Sequence, residues 1–260
     1  MPGSSSLRRL LAPCAAFAAL FAGEAASAQA RDPVNPTCPR EMNWSTYTQM
    51  RFTEQEVNGQ RVLLAEGMID DNLIPRLTAA LRNFQGQEVW LRSPGGNARV
   101  GNQAGRLIRE NMLFTRIPAG WACFSACNFL FMGGAARFVD NGGLFVVHMF
   151  THTGDRETIR SEVARGEENT IGLIGEIEQS SAMLASEDND FLIRMGVSRL
   201  LLTEVMYRQR AVAEGNDRST RRCLTQPEVN RYNVATVPWT GQATAAVTPQ
   251  QLQEQPRRRR

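Results

Sequence analysis

Between residues 50 and 150 the sequence alternates. Strand-length apolar runs are separated by longer segments of helical period, with glycine-rich turns at the switches. Residues 50–57 and 61–69 flank Asn58-Gly59, a pair suited to a tight hairpin turn. A helix capped by Asp70 or Asp71 is expected to run to Phe84, with Leu73, Ile74, Leu77 and Leu81 on one face. Residues 87–92 read as a strand, Ser93-Pro94-Gly95-Gly96 as a turn, 98–112 as a helix and 113–118 as a strand. Ser125 then opens a helix, and strands 137–140 and 144–150 follow around Asn141-Gly142-Gly143. The order strand, helix, strand, helix, strand favours an α/β domain, because parallel neighbours need a crossover between them. Beyond residue 150 the pattern is helical: 157–195 is one stretch and 198–213, with Leu200-Leu201-Leu202, another. Thr225 and Glu228 form a capping box for a short last helix.

Chemistry concentrates around "GWACFSACNFLFMGG", residues 120–134, where Ser125 lies between Cys123 and Cys127. A nucleophilic serine needs a base, a group that orients the base, and N–H donors for the developing oxyanion. The chain has two histidines, His148 in "LFVVHMF" and His152 in "THTG". His148 falls in a strand and His152 in an expected exposed loop. The Gly95-Gly96 turn lets backbone approach a ligand closely. The chain contains no lysine, so all 29 of its basic residues are arginine, and lysine cannot serve as base or Schiff-base amine.

Turn, serine and histidine come in an order that resembles the Clp protease proteolytic subunit family. "LRSPGG" is similar to that family's "INSPGG", "GWACFSAC" to its nucleophile segment, and "FVVHMF" to its "M-I-H-Q" segment. Ser125 follows Gly96 by 29 residues and precedes His148 by 23. The paired cysteines, "RMGVSRLLL" and "CLTQPEV" resemble more closely a bacterial periplasmic Clp-protease-like group. The resemblance implies a ClpP/crotonase-like spiral of β-β-α units with an added helical segment. It implies Ser125 as nucleophile, His148 as general base, and the N–H groups of Gly96 and Ala126 as oxyanion hole. It also implies a peptide or ester substrate, no cofactor, and assembly into homo-oligomers. At the third position the chain departs from the family: Arg221 stands where an aspartate is expected. Asp217 is the nearest acid and is taken as the candidate third member. Asp188 and Asp190 lie farther upstream, within reach if a helical layer folds back. The alternative reading is a non-catalytic binding or scaffold protein of the same fold. A crotonase acting on acyl-CoA thioesters is disfavoured by export, and a serine–lysine peptidase by the missing lysine.

Residues 1–30 read as a secretory signal: Arg8 and Arg9, an apolar core over 10–22, then Ala28-Gln29-Ala30 as a cleavage site. The expected location is the periplasm or outside the cell, with no transmembrane segment after signal removal. The domain is assigned to 31–236 and a disordered, basic-ended tail to 237–260. Removing the signal leaves a net charge of +2, and Arg257 to Arg260 account for more than that excess. Nothing therefore marks a nucleic-acid surface. Cys38, Cys123, Cys127 and Cys223 allow two disulfides in an oxidising compartment. Cys38 with Cys223 is the preferred pair, which leaves Cys123 and Cys127 as small apolar packing residues, or as a pair if Cys123 precedes the helix. No metal site is expected.

Overall fold

The computed structural model describes residues 37–213 and 220–237. The signal-like segment, Asp217 and residues 238–260 lie outside the described residues. The architecture is mixed α/β. Strands β1 (Arg51–Val57) and β2 (Gln60–Glu66) form the expected hairpin. Its turn residues Asn58 and Gly59 have φ of +52° and +76°, which is why Asn-Gly stands there. Helix α1 (Leu73–Asn83) crosses to β3 (Glu88–Arg92), and α2 (Ala98–Glu110) crosses to β4 (Phe114–Ile117). Then come β5 (Ala122–Phe124), α3 (Cys127–Gly133), β6 (Arg137–Val139) and β7 (Leu144–His148). One sheet runs β1-β2-β3-β4-β6, parallel except at the hairpin.

Two helices follow, α4 (Arg156–Ala164) and α5 (Glu167–Arg194). Near the C-terminus lie β8 (Arg221–Cys223) and α6 (Gln226–Arg231), the latter with the expected capping box. The second sheet runs β5-β7-β8: β5 is parallel to β7, and β7 is antiparallel to β8. Val89, Leu91, Leu130, Phe131, Phe145 and Phe191 are fully buried between these layers. Each such side chain contributes about 1.5–3 kcal/mol. Helices α2 and α3 press together through glycine. A Cβ on Gly101 would lie 2.7 Å from the Ala126 carbonyl oxygen, and one on Gly105 2.3 Å from that of Phe129.

Three expectations are corrected. The helix expected over 198–213 is instead one π-helical turn, Leu201–Val205, followed by a 3-10 turn, Met206–Arg208. Leu201, Leu202 and Val205 are buried there, so consecutive apolar residues are served by a wider turn rather than by one helix face. Helix α1 starts at Leu73, later than a cap at Asp70 or Asp71 would place it. The Asp70 carboxylate instead accepts the Asn72 N–H and pairs with Arg76. Finally, of the two readings open for Cys123 and Cys127, free packing residues give way to a disulfide, while the preferred bridge between Cys38 and Cys223 is present as expected. The second bridge meets its own geometric condition, because Cys123 lies in β5, before the helix begins.

Arg137 is buried and has no carboxylate partner among the described residues. Its guanidinium donates to the carbonyl oxygens of Val234, Met132, Gly134, Met195 and Asn233. Burial lowers its pKa to about 10, and nearby Arg109 adds to the shift. The residue is therefore a charged hub that ties the C-terminal segment to β6. Among the described residues no helix is long and apolar enough to cross a membrane.

Candidate active site

Strand β3 ends in the sequence Ser93-Pro94-Gly95-Gly96. Ser93 is fully buried and continues the pairing past β3: its N–H donates to the Ala122 carbonyl and its carbonyl accepts from Phe124. This exchange sets the glycine turn directly against the end of β5. The Ser93 hydroxyl accepts the Gly95 N–H at 3.0 Å and closes the turn. Gly95 and Gly96 have φ of +87° and +143°, where side chains are strained. A Cβ on Gly95 would sit 2.7 Å from Ser125 Cβ and 3.1 Å from the Ala126 nitrogen. Glycine is required there for space as well as for conformation.

Ser125 occupies the turn between β5 and α3, two residues ahead of the helix, rather than opening the helix itself. Among the described residues it is one of four non-glycine residues with positive φ, at +58°. For a residue with a Cβ that conformation costs on the order of 1–3 kcal/mol, and it persists only where the surroundings enforce it. Here the Ser125 N–H donates to the Val146 carbonyl, the Asn128 N–H returns to the Ser125 carbonyl, and the Cys123–Cys127 disulfide spans the turn. Such an elbow lifts a side chain out of the strand-to-helix connection toward an open face.

His148, the last residue of β7, meets it. His148 Nε2 lies 2.6 Å from Ser125 Oγ. Burial holds the imidazole pKa below the ordinary histidine value, and a hydrogen bond with the Met149 backbone acts the other way. The ring of Phe124 packs on His148 at 4.9 Å and is itself stacked by Trp44. A neutral imidazole against a hydroxyl is the arrangement in which Nε2 takes up the hydroxyl proton. Ala126 N–H and Gly96 N–H have no hydrogen-bond acceptor among the described residues; Ala126 follows Ser125 directly, and Gly96 follows Gly95, which packs against Ser125 while Gly96 itself lies on the Ile69 backbone.

The third position differs. Arg221 sits in register opposite His148 across the β7–β8 pair, so the acid expected at that place is absent. Asp217 lies outside the described residues. Asp190 is exposed and pairs with Arg106 and Arg194, away from His148. Asp188 does reach the site. It is 5% exposed and lines one pocket with Ser125, Asn128 and His148. Burial raises its carboxyl pKa to about 7, with the neighbouring Glu187 adding to the shift. Among the described residues Asp188 makes no hydrogen bond to His148, and its Oδ1 has no hydrogen-bond partner. Asn128 was not anticipated from sequence. Its Nδ2 donates to the Val146 carbonyl at 2.8 Å, which fixes the orientation of the amide; its Oδ1 is buried without a hydrogen-bond partner among the described residues, and the residue lines the same pocket. Its position three residues after Ser125, on the first turn of α3, was the available signal. His152, expected in an exposed loop, is half-buried against Phe150 instead.

No protein-family model matches the chain, and no curated protein sequence matches it. Among solved structures, a mutant of the Clp protease subunit ClpP1 from Listeria monocytogenes is similar at 12% identity with a TM-score of 0.46. That match covers 67% of this chain and 88% of the other.

Proposed function

We propose that this chain is a serine hydrolase, most simply a peptidase, with Ser125 as nucleophile and His148 as general base. The observation that carries this reading is the 2.6 Å approach of His148 Nε2 to a serine held at φ +58° beside a glycine turn. In this mechanism Ser125 Oγ attacks a carbonyl carbon while its proton passes to His148 Nε2. The carbonyl oxygen becomes an oxyanion and takes hydrogen bonds from the Gly96 and Ala126 N–H groups. Collapse expels an amine or alcohol, which leaves with the proton from His148. Water then repeats the sequence on the acyl-enzyme and returns free Ser125.

The resemblance to Clp-type subunits and the order Gly96, Ser125, His148 support a peptide or ester substrate. They also support assembly into homo-oligomers, which light scattering of the purified chain tests. We place the protein in the periplasm or outside the cell on the signal-like features of residues 1–30. A second reading, a binding protein that keeps the fold without turnover, is favoured by Arg221 opposite His148. A fluorophosphonate probe separates the two. Labelling of the folded chain that is lost in Ser125→Ala and His148→Ala supports the hydrolase. A folded chain that stays unlabelled supports the binding protein.

A further inference from the structure

The proposed base lies on a sheet face that a separate piece of chain covers. Side chains alternate along β7, so Phe145 and Val147 enter the main core while Leu144, Val146 and His148 take the opposite face. Phe124, the last residue of β5, stands in register with Val146 and shares that face. Cys223 of β8 pairs with Val146 from the other side. The segment ahead of β1 closes over these side chains. Cys38 and Met42 pack there, the Cys38–Cys223 disulfide anchors the segment, and the Asn43 carbonyl accepts the Ala122 N–H at 3.0 Å. Trp44 comes next. Its ring stacks on Phe124 at 5.5 Å with 21° between the planes, and Phe124 in turn lies 4.9 Å from the His148 ring at 45°. The three rings form a row that ends at the base.

We propose that Phe124, braced by Trp44, is a positioning residue for His148 and stands in for the orienting acid. A base in a Ser-His pair must keep one ring nitrogen as acceptor for the serine hydroxyl, and the third member of such a site holds the ring in that orientation and tautomer. Among the described residues no carboxylate accepts a hydrogen bond from His148, whose contact beyond Ser125 is with the backbone of its neighbour Met149. An aromatic ring packed on the imidazole restricts its rotation by contact alone. Trp44, on the far side of Phe124, denies that ring the room to swing away. The brace acts on the base through packing and brings no charge to it. Its role in catalysis rests on the hydrolase reading, in which His148 takes the Ser125 proton.

The test uses the full chain and its Trp44→Leu, Trp44→Phe and Phe124→Leu variants, with circular dichroism confirming each fold. Trp44 is half-buried at the outer end of the row, so its variants carry the test if Phe124→Leu fails to fold. Trp44→Leu is expected to lower the rate of fluorophosphonate labelling by about 10-fold, or about 1.4 kcal/mol, and Trp44→Phe to stay within about 3-fold of the parent. The second readout needs no turnover. The chain has two histidines, so His152→Gln assigns the ring nitrogens of His148 in 15N NMR spectra recorded at alkaline pH, where imidazole is neutral. The parent is expected to hold the single Nδ1–H tautomer that leaves Nε2 to accept from Ser125, and Trp44→Leu to show shifts averaged over both tautomers. Lost stability in a chain that stays folded does not move that signature. Mixed tautomers in Trp44→Leu against a single one in the parent support the brace even if no chain labels, in which case the hydrolase reading fails alone. A tautomer unchanged in Trp44→Leu, or a parent that already shows both, overturns the brace. So does labelling of Trp44→Leu within about 3-fold of a parent that labels.

Discussion

Asp188 links the site to stability in a way that can be measured without any substrate. Its carboxyl is pushed up to about 7, first by burial and then by Glu187, from an ordinary value of 3.8. The folded state therefore holds the proton more tightly than the unfolded chain does. The sign follows: this stabilising contribution is complete below the unfolded value and is lost as pH rises through the folded one. One pKa unit corresponds to about 1.4 kcal/mol, so the full span is about 4 kcal/mol, of which about 2–3 kcal/mol falls between pH 5 and pH 8. Asp188→Asn keeps the shape and removes the titration. Urea unfolding of both chains across pH 5–8 gives the difference directly, because the other titrating groups are common to both. The variant is expected to gain on the parent by about 2–3 kcal/mol over that range. Tyr207, whose hydroxyl pKa is raised to about 12 by burial and by Asp188, and His148 in the same pocket are the titratable neighbours besides Glu187. Parallel pH dependence in the two chains would show that Asp188 is ionised in the folded state, and would refute the reasoning.

Other parts of the structure give sharper single outcomes. His148 works in its neutral form and burial lowers its pKa, so probe labelling should persist below pH of about 6.5 and fall only in more acidic solution. An acidic limb above that value would contradict the buried environment. Gly95→Ala places a Cβ 2.6 Å from the Phe124 carbonyl oxygen and 2.7 Å from Ser125 Cβ. It should lower labelling by about 100-fold through displacement of the elbow, with circular dichroism showing a folded chain. Arg137→Met removes a donor from five carbonyl groups, of which Gly134 keeps a hydrogen bond from Arg109, and should cost more than about 3 kcal/mol in urea unfolding, with partial recovery in Arg137→Lys.

Local signals were legible where one residue type has one structural use. Asn58-Gly59 marked the hairpin, Thr225 and Glu228 the last helix, and the glycine pair after β3 the turn beside Ser125. Ser125 and His148 were brought within hydrogen-bond distance by a fold whose α/β alternation was visible in the apolar pattern. Strand β5 was not legible, because three residues are too few to show a period and its pairing with β7 is a long-range event. The Leu200-Leu201-Leu202 run was misread as a helix core, since contiguous leucines do not distinguish a helix face from a wider turn that buries Leu201, Leu202 and Val205 while Leu200 stays exposed. Asp188 stood among the acids within reach, but one turn of α5 also carries Glu187 and Asp190. Only the docking of that helix over α2 and α3 separates a pocket residue from an ordinary surface acid. The cysteine pairs were underdetermined for the same reason: four residues allow three pairings, and distance decides among them.

The bond between Cys123 and Cys127 gives the site a history as well as a shape. The two sulfurs are joined across a residue held at positive φ, so the turn that presents Ser125 is finished by an oxidant and not by folding alone. A newly made chain in a reducing compartment carries two thiols there and an unstapled elbow. The bridge closes only where an oxidant is available, and without it the elbow is held by its backbone hydrogen bonds alone.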